Sequence, residues 1–187
     1  MTELDKLNIE RIRISSIEPN LLNDEIIALV KSSSKFCNHF HVPMQSGDPE
    51  ILKAMRRRYN SELYRELIFK LTDEIKDAGI GADVITGFPG ETEKQFENTF
   101  EFIESLPVSY LHVFSYSERK NTDAVMLQGK VDVRERRRRS ELLRNLSDKK
   151  RFEFYSGFKG TYQDVLLESV KNDDFTEGLT TNYIRVK

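Results

Sequence analysis

Apolar and polar residues alternate over Ile9–Ile17, with Ile12 and Ile14 on one face, and the run ends in Ser15-Ser16-Ile17-Glu18-Pro19. A period of two closed by such a turn predicts a strand. Asn23 then precedes two acids and the apolar set Ile26, Ile27, Leu29 and Val30, the pattern of an N-capped helix. The order recurs. His39–Met44 reads as a strand, Gln45-Ser46-Gly47 as a turn, and Asp48 caps a helix with Pro49 at its first position, where the missing donor costs nothing. A longer helix follows Asn60-Ser61, with Leu63, Leu67, Ile68, Leu71 and Ile75 at helical spacing, and stops near Gly79.

Ile80–Thr86 is the next predicted strand. After Gly87-Phe88-Pro89-Gly90-Glu91, the segment Thr92-Glu93-Lys94-Gln95 has the form of a capping box, and its helix carries Phe96, Phe100, Ile103 and Leu106. Tyr110–Tyr116 predicts a fourth strand, and Asp132–Tyr155 a long basic helix. Alternation of this kind implies a parallel sheet covered by helices, with ligands at the carboxyl ends of the strands. Past Gly160 the pattern changes. Thr161–Val170 and Thr180–Lys187 read as two short strands joined by Lys171-Asn172-Asp173-Asp174, the start of a small β module. Four parallel strands cannot close a barrel, so the chain reads as a piece of something longer.

The 187 residues suffice for a sizeable core, and no apolar stretch approaches the roughly 20 residues of a membrane span. No secretory signal pattern is present, and one cysteine, Cys37, fits a reducing cytoplasm. A lone thiol cannot assemble a zinc ribbon or an iron-sulfur cluster, and Cys37 has no evident catalytic partner. The net charge of −2 argues against polyanion binding only if charge is evenly spread. It is not: Lys130–Arg151 holds ten basic residues against four acidic ones. This stripe reads either as a solvated, salt-bridged helix face or as a phosphate-contacting surface. The aromatic residues Phe152, Phe154, Tyr155, Phe158 and Tyr162 after it favour RNA modestly.

Three turns carry candidate chemistry. Asp83, Ile85 and Gly87 share a face of one strand, which suits a nucleoside through a carboxylate for ribose and an apolar contact for the base; the alternative is an ordinary tight connection. The Gly87–Gly90 turn lacks the Lys-Ser/Thr pair of a phosphate loop. Gln45 offers a donor and an acceptor. Arg56, Arg57 and Arg58 are expected to end a helix, and one guanidinium turned toward the strand ends would hold a carboxylate. The rival is a metal centre, as in a barrel-type hydrolase, built from His39, His41 and His112; with no Asp or Glu at ligand spacing beside them, satisfied structural histidines are the favoured alternative.

Taken together, Ser15–Pro19, His41-Val42-Pro43-Met44-Gln45-Ser46-Gly47, Asp83–Thr92 and Leu111-His112-Val113-Phe114-Ser115-Tyr116-Ser117 resemble the later part of a radical S-adenosylmethionine methylthiotransferase. Within that family the threonylcarbamoyladenosine tRNA branch is most similar, then the isopentenyladenosine branch. The resemblance implies an α/β fold: residues 1–158 as the later four strands of a six-stranded partial barrel plus a basic helix, and 159–187 as a truncated TRAM-like β domain. It implies that Gln45 and Asp83 contact S-adenosylmethionine, Arg57 its carboxylate and Ile85 its adenine, with Ser16 facing the site. It further implies a transferase using two 4Fe-4S clusters, neither expected on this chain, since the Cys-x-x-x-Cys-x-x-Cys loop has no counterpart here. The implied partner is the tRNA anticodon stem-loop, met by the basic helix and the TRAM-like segment. The expected reading is thus a fragment of a tRNA-modifying enzyme, without radical chemistry of its own.

Overall fold

The computed structural model describes residues 2–168 and 176–187. Its centre is a four-stranded sheet of β1 (Ile12–Ile14), β2 (Phe36–His41), β3 (Gly79–Thr86) and β4 (Tyr110–Ser115), in the order β1-β2-β3-β4, with every pair parallel. After α1 (Thr2–Asp5), the helices α2 (Asp24–Ser32), α3 (Pro49–Ala54), α4 (Ser61–Glu74) and α5 (Glu93–Ser105) connect the strands in turn, and α6 (Val133–Ser156) follows the last. The first strand is shorter than the alternation suggests and the second is shifted toward the N-terminus. β1 occupies only the middle of Ile9–Ile17, and β2 starts at Phe36 and ends at His41.

Local chemistry starts each connecting helix where the sequence indicates. Side-chain oxygens of Asn23, Asp48 and Asn60 accept backbone N–H bonds from the first turns of α2, α3 and α4. Thr92 and Gln95 close the capping box of α5, and Asp132 caps α6. The end of α3 departs from expectation. The helix stops at Ala54, and Arg56–Arg58 lie in the turn beyond it. There the amides of Arg56 and Arg57 donate to the carbonyls of Lys53 and Leu52, a Schellman closure with Arg56 at φ 55° where glycine is usual.

Alternation divides the sheet into two faces. Phe40, Ile80, Ala82, Val84 and Leu111 face the helices and are buried with Tyr64, Ile68, Leu71, Ile103 and Leu143 in one core. The opposite face carries Arg13, His39, His41, Asp83, Ile85, Tyr110, His112 and Phe114. A second sheet, β5 (Val165–Leu167), β6 (Gly178–Thr180) and β7 (Arg185–Val186), is antiparallel, with three short strands rather than the expected two. The predicted connector Lys171–Asp174 and Val170 lie outside the described residues. This sheet meets the starts of the parallel strands: Arg11 Nη1 donates to Leu179 O at 3.0 Å and Asn182 Nδ2 to Asp77 O at 3.2 Å. No helix among the described residues is long and apolar enough to cross a membrane.

Candidate functional site

β2 and β3 end side by side, and their extensions build the site. Gln45 donates its amide to Asp83 O at 2.8 Å and accepts from Ile85 N at 2.9 Å, which continues the ladder one step past β2. Gln45 is held at φ 69°, a left-handed conformation disfavoured outside glycine, and Ser16 at the end of β1 sits at φ 55°. Two predicted site residues thus occupy strained backbone, a feature that concentrates at ligand sites. Both turns read locally as polar connections, and nothing in the residue types announced the strain.

Gln45, Arg57, Asp83 and Ile85 line one cleft of about 700 Å³, joined by Phe114, Tyr116 and Arg119. A second hollow of about 560 Å³ shares Arg57, Ile85 and Tyr116 with it and adds Phe88, Met126 and Leu127. Four of the five predicted residues therefore meet at the carboxyl ends of the strands. The fifth, Ser16, reaches the site through a relay. Its Oγ lies 3.0 Å from His41 Nδ1, and His41 Nε2 lies 2.8 Å from Asp83 Oδ1. A carboxylate only accepts, so Nε2 carries the proton toward Asp83, and Nδ1 pairs with the Ser16 hydroxyl. The relay orients the Asp83 carboxylate.

Arg57 is positioned by the Schellman turn. Its Nη1 lies 3.6 Å from Glu18 Oε1, while its Nε is buried without a hydrogen-bond partner among the described residues. Tyr116 presents a second buried and unpartnered polar atom, its hydroxyl, on the wall of the same cleft. Buried polar groups of this kind are paired in the great majority of cases, so these two mark a place for a ligand's acceptors. Glu18 and Tyr116 belong to recognised segments, but their roles require the folded geometry.

The glycine-rich turn after β3 is closed by the chain itself. Gly87 N donates to Glu91 Oε2 at 2.6 Å, and Arg139 Nη1 of α6 meets the same oxygen at 2.8 Å. Burial pushes the Glu91 carboxyl above its ordinary value, against the pull of Arg139 and the Gly87 amide. Gly87 has φ 72°, and a Cβ there would lie 2.3 Å from Arg136 Cγ, so only glycine fits.

The three-histidine centre does not assemble as expected. His41 and His112 meet edge to face at 5.3 Å, but the third donor within 4.8 Å is Asp83, a carboxylate the spacing did not suggest. His39 turns away: its Nε2 lies 2.9 Å from the Tyr110 hydroxyl and its ring packs on Tyr183. Burial, with Arg13 nearby, lowers its pKa to about 3. Both ring nitrogens of His41 are engaged with Ser16 and Asp83, which suits positioning rather than metal ligation.

The basic stripe is also divided by the fold. Arg136, Arg139 and Lys150 are buried, bonding Glu118, Glu91 and the carbonyls of Glu104 and Leu106. Arg138 is held by Glu93 and Glu135. Arg134, Arg137 and Arg144 are exposed and form no ion pair among the described residues. Cys37 is buried and is the only cysteine of the sequence; one thiolate does not fit an iron-sulfur cluster, which is held by several cysteines.

A parallel α/β sheet with a nucleoside-sized cleft of mixed polar and apolar lining at its strand ends is the class these features define. The chain belongs to the Radical SAM superfamily, whose family model matches residues 2–103. It is 38% identical over its full length to the threonylcarbamoyladenosine tRNA methylthiotransferase MtaB of Bacillus subtilis, spanning 43% of that protein. It is 39% identical, again over its full length, to MtaB of Aquifex aeolicus, spanning 45% of that protein. A tRNA-2-methylthio-N(6)-dimethylallyladenosine synthase of Endomicrobium trichonymphae is 39% identical over 88% of the chain and 40% of its own length. The chain thus spans less than half the length of the curated relatives it matches. Among solved structures, coproporphyrinogen III oxidase (HemN) of Escherichia coli aligns with a TM-score of 0.57 at 20% identity, covering 81% of this chain and 34% of that one. That likeness concerns the fold.

Proposed function

We propose that this chain is the cofactor- and nucleoside-binding part of a tRNA methylthiotransferase, acting on threonylcarbamoyladenosine beside the anticodon. The observation that carries the reading is the convergence of Gln45, Asp83, Ile85 and Arg57 on one cleft, with a buried Arg57 Nε left unpartnered. These residues fit S-adenosylmethionine. Asp83, oriented by His41 and Ser16, accepts from ribose hydroxyls; Ile85 meets the adenine; Gln45 bonds polar edges; and the Arg57 guanidinium holds the amino-acid carboxylate. The cofactor, when bound, supplies the radical chemistry, and this chain's part is to hold and aim it. Both 4Fe-4S clusters of the whole enzyme would be held by residues other than these. Residues 1–158 are read as the barrel portion and 159–187 as the start of a TRAM-like RNA-binding domain, in a cytoplasmic protein whose partner is the anticodon stem-loop.

Relatives of two substrate classes stand at nearly equal identity, and full coverage of this chain by the MtaB proteins favours threonylcarbamoyladenosine. The test is a chimaera in which this segment replaces its counterpart in the Bacillus subtilis relative, with tRNA nucleosides read by mass spectrometry. A methylthio group on threonylcarbamoyladenosine supports the proposal. Its appearance on dimethylallyladenosine would assign the other branch, and a folded chimaera, with both clusters present, that modifies neither would contradict the reading.

A further inference from the structure

On the inner face of β4, Tyr110, His112 and Phe114 follow one another at every second residue. Phe114 lines the cofactor cleft and His112 stands against Asp83, whereas Tyr110 opens a separate hollow of about 360 Å³. Its walls come from three parts of the chain: Tyr110 and His112 of β4, Arg151 and Tyr155 of α6, and Tyr183 and Arg185 of the second sheet. Among the described residues, no acidic side chain lines it. The Tyr110 and Tyr183 rings are near parallel, 27° apart with centroids at 6.5 Å, and the Arg151 guanidinium lies 5.8 Å from the Tyr110 centroid.

The two arginines differ in availability. Arg185 is committed to Glu168 at 2.7 Å and Glu177 at 2.9 Å, and its amide donates to the Tyr155 hydroxyl at 3.3 Å. Arg151, besides its place over the Tyr110 ring, has among the described residues one ion contact, at 3.5 Å with Asp148 on its own helix. It also ends a row: Arg134, Arg137, Arg144 and Arg151 fall at helical spacing on one exposed side of α6, a track of roughly 25 Å leading into the hollow. Flat rings with a weakly held guanidinium at the end of a cationic track are what a single-stranded nucleic acid requires, stacking for the base and charge for the phosphate.

Resting on the reading of the chain as part of a tRNA-modifying enzyme, we propose that this hollow between β4, α6 and the second sheet is a stacking subsite. It takes an unpaired base of the RNA loop next to the nucleotide being modified. The spacing supports adjacency. From Tyr110 to Phe114 is four residues of strand, about 13 Å, a span that about two extended nucleotides cover. The base bound here would hold the loop open while its neighbour enters the cofactor cleft.

The test titrates the purified chain with an RNA hairpin whose loop carries a fluorescent purine, quenched when it stacks. Tyr155→Leu is expected to weaken binding about tenfold and abolish the quenching, while Tyr155→Phe, which keeps the ring and loses the hydroxyl, retains both. Arg151→Ala is expected to reduce the salt dependence of binding by about one phosphate contact. Hairpin binding with quenching untouched by Tyr155→Leu and Arg151→Ala would overturn the subsite while leaving the tRNA reading in place. A folded wild-type chain that binds no hairpin would overturn both. Displacement of the hairpin by poly-glutamate as readily as by RNA would show that the hollow reads charge alone, and would also overturn the proposal.

Discussion

At the scale of single residues, the site relies on conformations and protonation states that cost stability elsewhere. His39 is buried among Arg13, His41, His112, Tyr110 and Tyr183, and its pKa falls from 6.5 to about 3. The unfolded chain therefore binds a proton that the folded chain refuses. The stability due to neutral His39 is complete above pH 6.5 and is lost as pH falls from there toward 3. By about pH 5 the loss should reach about 2 kcal/mol. Thermal melts should show it, and His39→Gln, which can still bond the Tyr110 hydroxyl, should flatten the slope; equal slopes would refute the assignment. Gln45 tests the opposite trade. Because it sits at φ 69°, Gln45→Gly is expected to keep or raise the melting temperature while weakening S-adenosylmethionine binding. A lower melting temperature with unchanged affinity would mean that the side chain serves packing.

Elements are joined at the site by charges taken out of water. Arg139 of α6 reaches across to Glu91, each almost fully buried, and Glu91 in turn holds the Gly87 amide, so one pair fixes both the β3 turn and the helix. Removing one partner strands the other. Arg139→Met is expected to cost about 3–5 kcal/mol, whereas replacing both with apolar residues of similar volume should recover much of that loss. Denaturant unfolding of the single and double variants checks this, and equal losses in both would rule out the pair as the clasp. Helix starts were legible because capping is local: Asn23, Asp48, Asn60, Thr92 and Asp132 need only their own first turn. The burial of Arg136, Arg139 and Lys150 was not. A run of basic residues looks the same whether its partners are water or carboxylates some 45 residues away.

For the whole molecule, the alternation of strands and helices made the parallel sheet readable and pointed to the turns at its carboxyl end, while the choice of Arg57 among Arg56–Arg58 came from the family resemblance. The contacts that complete the site were hidden because they join distant segments: Ser16 to His41 to Asp83, and Arg57 carried by a turn without glycine. His39 lies on the face that the period of two sets, but that period does not give its partner, the Tyr110 hydroxyl. The second sheet is fastened where Asn182 O crowds Gly79, at 2.2 Å from where a Cβ would lie. Gly79→Ala should therefore release residues 178–187 to proteolysis while the parallel sheet stays folded, and unchanged protection would contradict that fastening. The central claim is that the strand ends form an S-adenosylmethionine cleft. Calorimetric titration of the purified chain with S-adenosylmethionine, beside Arg57→Ala and Asp83→Ala, tests it most directly. Saturable binding, weakened about tenfold or more by each substitution, is the predicted result. A folded chain that binds no S-adenosylmethionine, or binds it equally well after both substitutions, would contradict it.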